Sequence, residues 1–364
     1  MILSVGTAAA IDMARAETGT GVHAPDPSSA ALGQGWGSPA VSPAAGVEAG
    51  LRSAAHCGPG ADVLGVSRVV EIDTTTGPEF GEQYHKTEPK FLEPGEVVLT
   101  FDDGPMRRYT LPILDALDEQ CVKATFFSVG RMAIADPATL REVARRGHTI
   151  GTHTWSHKNL ASLSAAAMKR EFELGLSAVA AAAGTPIAPF FRFPYLAHGK
   201  SSRDYIRSRG IGTFGIHVDS KDFRTKNPGV VLRNVLSQLE HTKKGILLFH
   251  DIQPSTAGAL SSLLEELKAR GFKVVHMVPK DAPITLPEYD AIAEKALKAK
   301  SVAAASSPLA ERAATWPVSG ATDAPPAAAP APKKPSRNGA QPAKPYDWAN
   351  PSNDPWQLKA FGHQ

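Results

Sequence analysis

From Glu96 onward, short runs of β-branched and aromatic residues alternate with longer stretches of helical period. The runs are 97–101, 124–129, 149–151, 190–193, 212–216, 245–249 and 273–278, each too short for a helix. Between them the helix signals are specific. Asp136 is placed to cap a helix with Pro137 in its first turn and Gly147 as its stop. The stretch from Ser164 to Ala183 puts Met168, Phe172, Leu176 and Val179 on one face and stops at Gly184. Strands alternating with helices predict βα units and a parallel sheet, either a (β/α) barrel or an open doubly wound sheet. A weaker alternation over 63–72 predicts one more strand packed on this domain, and 289–300 reads as a helix following it.

The flanks show no apolar period. Residues 17–60 are rich in Gly, Ala, Pro and Ser, too little buriable surface to offset ordering entropy. The C-terminal stretch is dominated by Ala, Pro, Lys and Ser, with 324–335 an extended, polyproline-like spacer. The expected organisation is a signal remnant and disordered segment over 1–60, a strand-like lead-in over 61–95, the main domain over 96–280, a helical extension over 281–300 and a disordered tail over 301–364.

Charge changes the picture mainly by exclusion. The 364 residues hold 39 basic and 36 acidic side chains, and no segment sets Lys and Arg beside aromatics, so no nucleic acid partner is expected. No run approaches the roughly eighteen apolar residues of a membrane span. The first sixteen residues offer small-residue sites suited to signal peptidase, at Ala8–Ala10 and Ala14–Ala16, without a positively charged start. A signal peptide shorn of its beginning and a disordered N-terminus both fit. Cys57 and Cys121 are the only cysteines, compatible with one disulfide in an oxidising compartment or with two unrelated buried thiols.

Five clusters carry the chemistry: Thr100-Phe101-Asp102-Asp103-Gly104-Pro105, His153-Thr154-Trp155-Ser156-His157, Arg192-Phe193-Pro194-Tyr195, Asp219-Ser220-Lys221-Asp222-Phe223 and Leu248-Phe249-His250-Asp251. Asp102 and Asp103 follow a strand, where barrel active sites sit, although Asp-Asp-Gly-Pro alone also reads as a turn. His153 and His157 are four apart, so on a helical turn both rings share a face and can share a metal, a spacing that also arises by chance. Arg192 ends an apolar run and needs a carboxylate, with Asp102 the best candidate and a surface salt bridge the alternative. Period two puts Leu248 and His250 on one strand face, as a reactive pair or as part of the core.

In this order the clusters resemble the polysaccharide deacetylase family, the NodB homology domain of carbohydrate esterase family 4, over roughly 96–278. The resemblance implies a distorted (β/α)7 barrel. It implies Asp103, His153 and His157 as ligands of a divalent metal, zinc in first place with cobalt or nickel as substitutes. It makes Asp102 the general base, held by Arg192, and His250 the acid that protonates the leaving amine, with Asp219 orienting His250 and raising its pKa. It gives the Tyr195 main-chain N–H to the oxyanion and Leu248 to the acetyl methyl group. Phe193, Leu196 and Phe223 depart from the commoner Pro, Gly and Trp of these motifs, which points to an altered substrate groove. The implied activity is N-deacetylation of N-acetylglucosamine-containing glycans, with release of acetate. The signal remnant points to the periplasm or the cell exterior, with the cytoplasm as the alternative. An O-acetyl esterase, a cyclic-imide amidase on the same fold, and a non-catalytic glycan-binding protein are the rival readings.

Overall fold

The architecture comes from a computed structural model describing residues 57–58, 60–81 and 91–305. Most of the expected N-terminal segment and nearly all of the expected tail lie outside these residues. Ten strands and eight α-helices follow in chain order: β1 (Val66–Ile72), β2 (Glu79–Phe80), β3 (Glu96–Asp102), α1 (Arg107–Glu119), β4 (Thr125–Ser128), α2 (Gly130–Ala135), α3 (Pro137–Arg145), β5 (Thr149–Thr152), α4 (Ala165–Ala183), β6 (Phe190–Phe191), α5 (Lys200–Ser208), β7 (Gly212–Phe214), β8 (Val218–Asp219), α6 (Pro228–Thr242), β9 (Gly245–His250), α7 (Pro254–Ala269), β10 (Lys273–Pro279) and α8 (Pro287–Ala305).

The helix boundaries follow from capping chemistry. The Asp136 carboxylate accepts the Thr139 N–H at the start of α3, with Pro137 in the first turn, satisfying an amide that the helix leaves without a partner. Ser164 does the same for Ala167 at the start of α4, and Gly184 ends that helix in a left-handed conformation. Met168, Phe172, Leu176 and Val179 are all buried.

All strand pairings are parallel. The wall runs β8-β9-β3-β4-β5-β6-β7, and no pairing among the described strands joins β7 to β8. This is the distorted seven-stranded barrel, with one correction to its membership. Six of the seven expected runs form the wall, but the seventh wall strand is the two-residue β8. The run at 273–278 is β10, which pairs along its length with β1 and meets β3 only at Glu96 and Val97. β8 spans two residues and, unlike β6, belongs to no apolar run of its own, so it gives no sequence signal.

Alternation along the strands separates two cores. Val97, Leu99 and Phe101 of β3 and Leu247 and Phe249 of β9 face outward into the helical layer. Val98 and Ile246 face inward with Phe127, Phe190 and Phe214, where Ile72, Val275 and Met277 of β1 and β10 join them. The β1/β10 pair therefore fills the barrel interior with apolar side chains at the N-terminal end of β3. From that level the inward positions of β3 become polar, Thr100 and then Asp102, and those of β9 run from Leu248 to His250. The polar groups thus gather at the carboxyl end, where barrel active sites are built. Cys57 is disulfide-bonded to Cys121, just past α1, and the chain beyond it is held where the Leu64 N–H donates to the Gln120 side chain. Among the described residues no helix is long and apolar enough to cross a membrane.

Candidate active site

Register sets the first relationship. Asp102 lies opposite His250 and Thr100 opposite Leu248 on neighbouring parallel strands, so a carboxylate and an imidazole share one level of the barrel mouth. Asp103, with φ of 80°, turns away from Asp102, and two adjacent acids acquire different surroundings. The turn is braced from below by Asp251. Its Oδ1 accepts the Gly104 N–H at 2.9 Å and its Oδ2 accepts the Thr110 hydroxyl at 2.7 Å. A Cβ at Gly104 would stand 2.0 Å from that carboxylate, which is why glycine follows the acid pair. Burial pushes the Asp251 carboxyl up to about 7.

The two histidines do not sit on a helix, contrary to the sequence expectation. They follow β5 in a tight loop whose Thr154 and His157 take positive φ. The loop is tied to α4: the Glu171 carbonyl accepts the Trp155 N–H, and the Glu171 carboxylate accepts the Ser156 N–H and hydroxyl. Gly175, one turn on, lets the helix press against the backbone of Thr154 and Trp155, within 2.4 Å of where its Cβ would lie. Strain and bracing together achieve what helical spacing would otherwise have supplied. The Nε2 atoms of His153 and His157 stand 3.6 and 3.2 Å from Asp103 Oδ1.

This trio fits a divalent metal. Its ligand atoms all lie within 4.8 Å of one another. Both Asp103 oxygens are buried and accept no hydrogen bond among the described residues, a costly state for a carboxylate unless a cation joins it. Burial pushes the Asp103 carboxyl up to about 8 and holds His153 down to about 3, with His157 also well below the usual range. Neutral imidazoles are the ligating form. The tautomer of His153 is set, because its Nδ1 faces the Arg192 carbonyl at 2.7 Å. Only an N–H can bond there, leaving Nε2 as the lone-pair donor.

Arg192 is fully buried inside the barrel. Its Nη1 donates to Asp102 Oδ1 at 2.7 Å and to the Thr100 hydroxyl at 2.8 Å, while Nε and Nη2 donate to the carbonyls of Phe214 and Gly215. Its guanidinium lies 4.3 Å from the centroid of the Phe127 ring, a cation–π contact in a dry setting. The partner foreseen for Arg192 is the one found. Burial pushes the Asp102 carboxyl upward, and the adjacent guanidinium works against that push.

The support of His250 needs a correction. Asp222, not Asp219, holds the ring: its Oδ1 is 2.7 Å from His250 Nδ1, and its Oδ2 accepts the His250 main-chain N–H at 2.7 Å and the Thr256 hydroxyl. Asp219 pairs in register with Leu248, two residues short of His250, whereas the 3-10 turn Asp222–Arg224 climbs to the level of the ring. Burial opposes a charge on His250, but the Asp222 carboxylate, aided by Asp103 and Asp102, outweighs it and raises the pKa to about 10. The imidazole is therefore a stable proton carrier. Glu171, Asp251 and Asp222 were not foreseen in these roles. A signal existed for Glu171, an acid three residues from Met168 and four from Gly175 on a buried helix face.

Asp102, His153, His157, Tyr195, Asp219, Leu248 and His250 line one open cleft of about 310 Å³ together with Phe193, Leu196, Phe223 and Arg224. Six of the eight non-glycine residues with positive φ among the described residues lie in its loops: Asp103, Thr154, His157, Tyr195, Leu196 and Lys221. Such conformations cost about 1 kcal/mol or more each and concentrate where function requires them. The Tyr195 ring also packs edge-on against His157, with centroids 4.7 Å apart.

A barrel mouth that sets an Asp-His-His trio fit for a cation beside an ion-paired carboxylate and a charge-stabilised imidazole holds the parts that a metal-dependent hydrolase needs. The family model for polysaccharide deacetylase matches residues 91–214. A chitin deacetylase of Colletotrichum lindemuthianum is 31% identical over 196 residues, covering 50% of this chain and 78% of that protein. The chain belongs to the polysaccharide deacetylase family. The peptidoglycan-N-acetylglucosamine deacetylase PgdA of Listeria monocytogenes is 33% identical over 187 residues, covering 51% of this chain but only 39% of the longer relative. The solved peptidoglycan deacetylase of Bdellovibrio bacteriovorus superposes with a TM-score of 0.53 at 34% identity, over 60% of each chain.

Proposed function

We propose that this protein removes N-acetyl groups from N-acetylglucosamine-containing glycans. The observation that carries the reading is the opposition of Asp102 and His250 across one cleft, each fixed by its own buried partner, Arg192 and Asp222, beside the cation-binding trio. A divalent metal held by Asp103, His153 and His157, zinc in first place with cobalt or nickel as substitutes, would polarise the acetamide carbonyl and lower the pKa of water.

The remaining work falls to this chain. Asp102, oriented by Arg192, takes a proton from the attacking water as its oxygen bonds to the carbonyl carbon. The Tyr195 main-chain N–H donates to the oxyanion as it develops. His250 then gives its proton to the nitrogen while the carbon–nitrogen bond breaks, so acetate and a free amine leave together. Leu248 supplies an apolar contact for the methyl group.

The relatives' names, on chitin and peptidoglycan, support a glycan substrate. The disulfide supports an oxidising compartment, the periplasm or the cell exterior. Acetate and free amine released from chitooligosaccharide, peptidoglycan and acetylxylan, with metal content measured on the same protein, provide the test. Release from the amides is expected; turnover of the ester alone, or full turnover by metal-free protein, would refute the assignment.

A further inference from the structure

The cleft lining holds two charged side chains that the proposed reaction leaves unused, Asp219 and Arg224, and Arg224 is the cation. Arg224 ends the 3-10 turn that carries Asp222 and Phe223 and lines the cleft with the reacting groups. The Phe223 ring stands edge-on to His250 at 5.7 Å, and the Arg224 guanidinium lies 5.4 Å from the Phe223 ring centroid. The cation is thus laid against the cleft wall beside the proton donor. The carboxylates of its own loop are engaged elsewhere: Asp222 holds His250 and Thr256, and Asp219 Oδ1 accepts the Lys221 N–H at 2.9 Å. Among the described residues no carboxylate pairs with Arg224, nor with Lys221 or Lys226 of the same loop. Lys221 and Lys226 are exposed on the same loop, which therefore carries three cations against Asp219 and Asp222.

We infer that Arg224 recognises a carboxylate on the glycan, carried by the sugar that adjoins the N-acetylglucosamine unit being deacetylated. The inference rests on the deacetylase reading and narrows it to acidic glycans. A guanidinium offers a planar fork of N–H donors matched to the two oxygens of a carboxylate, and stacking on an aromatic face limits the freedom lost when it binds. A neutral N-acetylglucosamine polymer has no group that uses such a fork fully. Two glycan chemistries supply the carboxylate, a muramyl lactyl ether and a uronic acid.

The test uses the metal-loaded full chain and four oligomers: N-acetylglucosamine alternating with N-acetylmuramic acid, the same oligomer with its carboxylates amidated, N-acetylglucosamine alternating with a uronate, and chitotetraose. The wild type is expected to show a KM about tenfold lower for the acid than for its amide, with kcat little changed. Arg224→Gln should abolish that preference, Arg224→Lys should keep part of it, and salt should erode it in the wild type. Preference for the muramyl or for the uronate oligomer identifies the source. A wild type that handles acid and amide alike, or a Gln variant that keeps the preference, overturns the inference. Absence of acetate release from every oligomer would refute the deacetylase reading instead. Calorimetric binding of the muramyl oligomer and its amide then still decides on Arg224, by whether the acid binds more tightly and the Gln variant loses the difference.

Discussion

Replacing Asp222 by Asn isolates the electrostatic support of His250, the proposed proton donor. The substitution keeps the shape but removes the charge, and it faces either the His250 main-chain N–H or the ring with an amide that cannot accept. A hydrogen bond to a charged partner contributes about 1.5–3 kcal/mol, which at about 1.4 kcal/mol per pKa unit lowers the His250 pKa by roughly one to two units. In the metal-free protein the wild-type ring titrates near a pKa of about 10. A bound dication repels the imidazolium, so the loaded enzyme titrates lower, and the difference between variants is the quantity to read. The assay is acetate release against pH. The alkaline limb should move down by one to two units in Asp222→Asn, while Asp219→Asn should move it far less. Stability follows the same linkage. The folded pKa of His250 is raised, so its contribution is fully present below the unfolded value of 6.5 and is lost as pH rises through about 10. Asp222→Asn should flatten that loss in metal-free urea melts. An unmoved limb in Asp222→Asn, or an equal shift in Asp219→Asn, would refute the reasoning.

Three further outcomes are expected. Asp102→Asn and His250→Ala should each lower turnover by orders of magnitude with metal content nearly unchanged, whereas His157→Ala should lose both, and chelation should leave the circular dichroism melt largely intact; a metal-free His250→Ala protein would contradict the division of roles. Gly175→Ala places a methyl group against the Thr154–Trp155 backbone and should cost about 1–3 kcal/mol, lowering both the melting temperature and the affinity for zinc in a titration. The Cys57–Cys121 bridge closes a separation of 64 residues, worth about 4 kcal/mol by loop entropy; thiol counting should find no free cysteine, and reduction should lower the denaturation midpoint by a matching amount.

The parts of the fold legible in the sequence were those with a local cause. Asp136 and Ser164 announce their helices through short-range hydrogen bonds, and the long apolar runs of β3 and β9 announce a buried wall. The two-residue β8 has no period to read, and β10 reads like a wall strand because its apolar run is the same whether it lies in the wall or below it. At the site, Asp102, Asp103, His153, His157, Arg192 and His250 converge as the motif order implied. The histidine loop and the Asp222 support depend on bracing from α4 and on the register of β8 with β9. Both are contacts between distant segments, which no spacing in the chain encodes.

Arg192 joins two tasks in one side chain. Its guanidinium orients Asp102 and also bonds the carbonyls of Phe214 and Gly215, at the seam where β7 and β8 fail to pair. Its main-chain carbonyl, which fixes the His153 tautomer, survives any substitution. A mutational library at this position therefore offers no trade between robustness and turnover, since every replacement that releases Asp102, the proposed base, also unfastens the wall. Loss of Asp102 spares the bonds at the seam but strands a buried guanidinium without its carboxylate, so neither member of the pair drifts away cheaply.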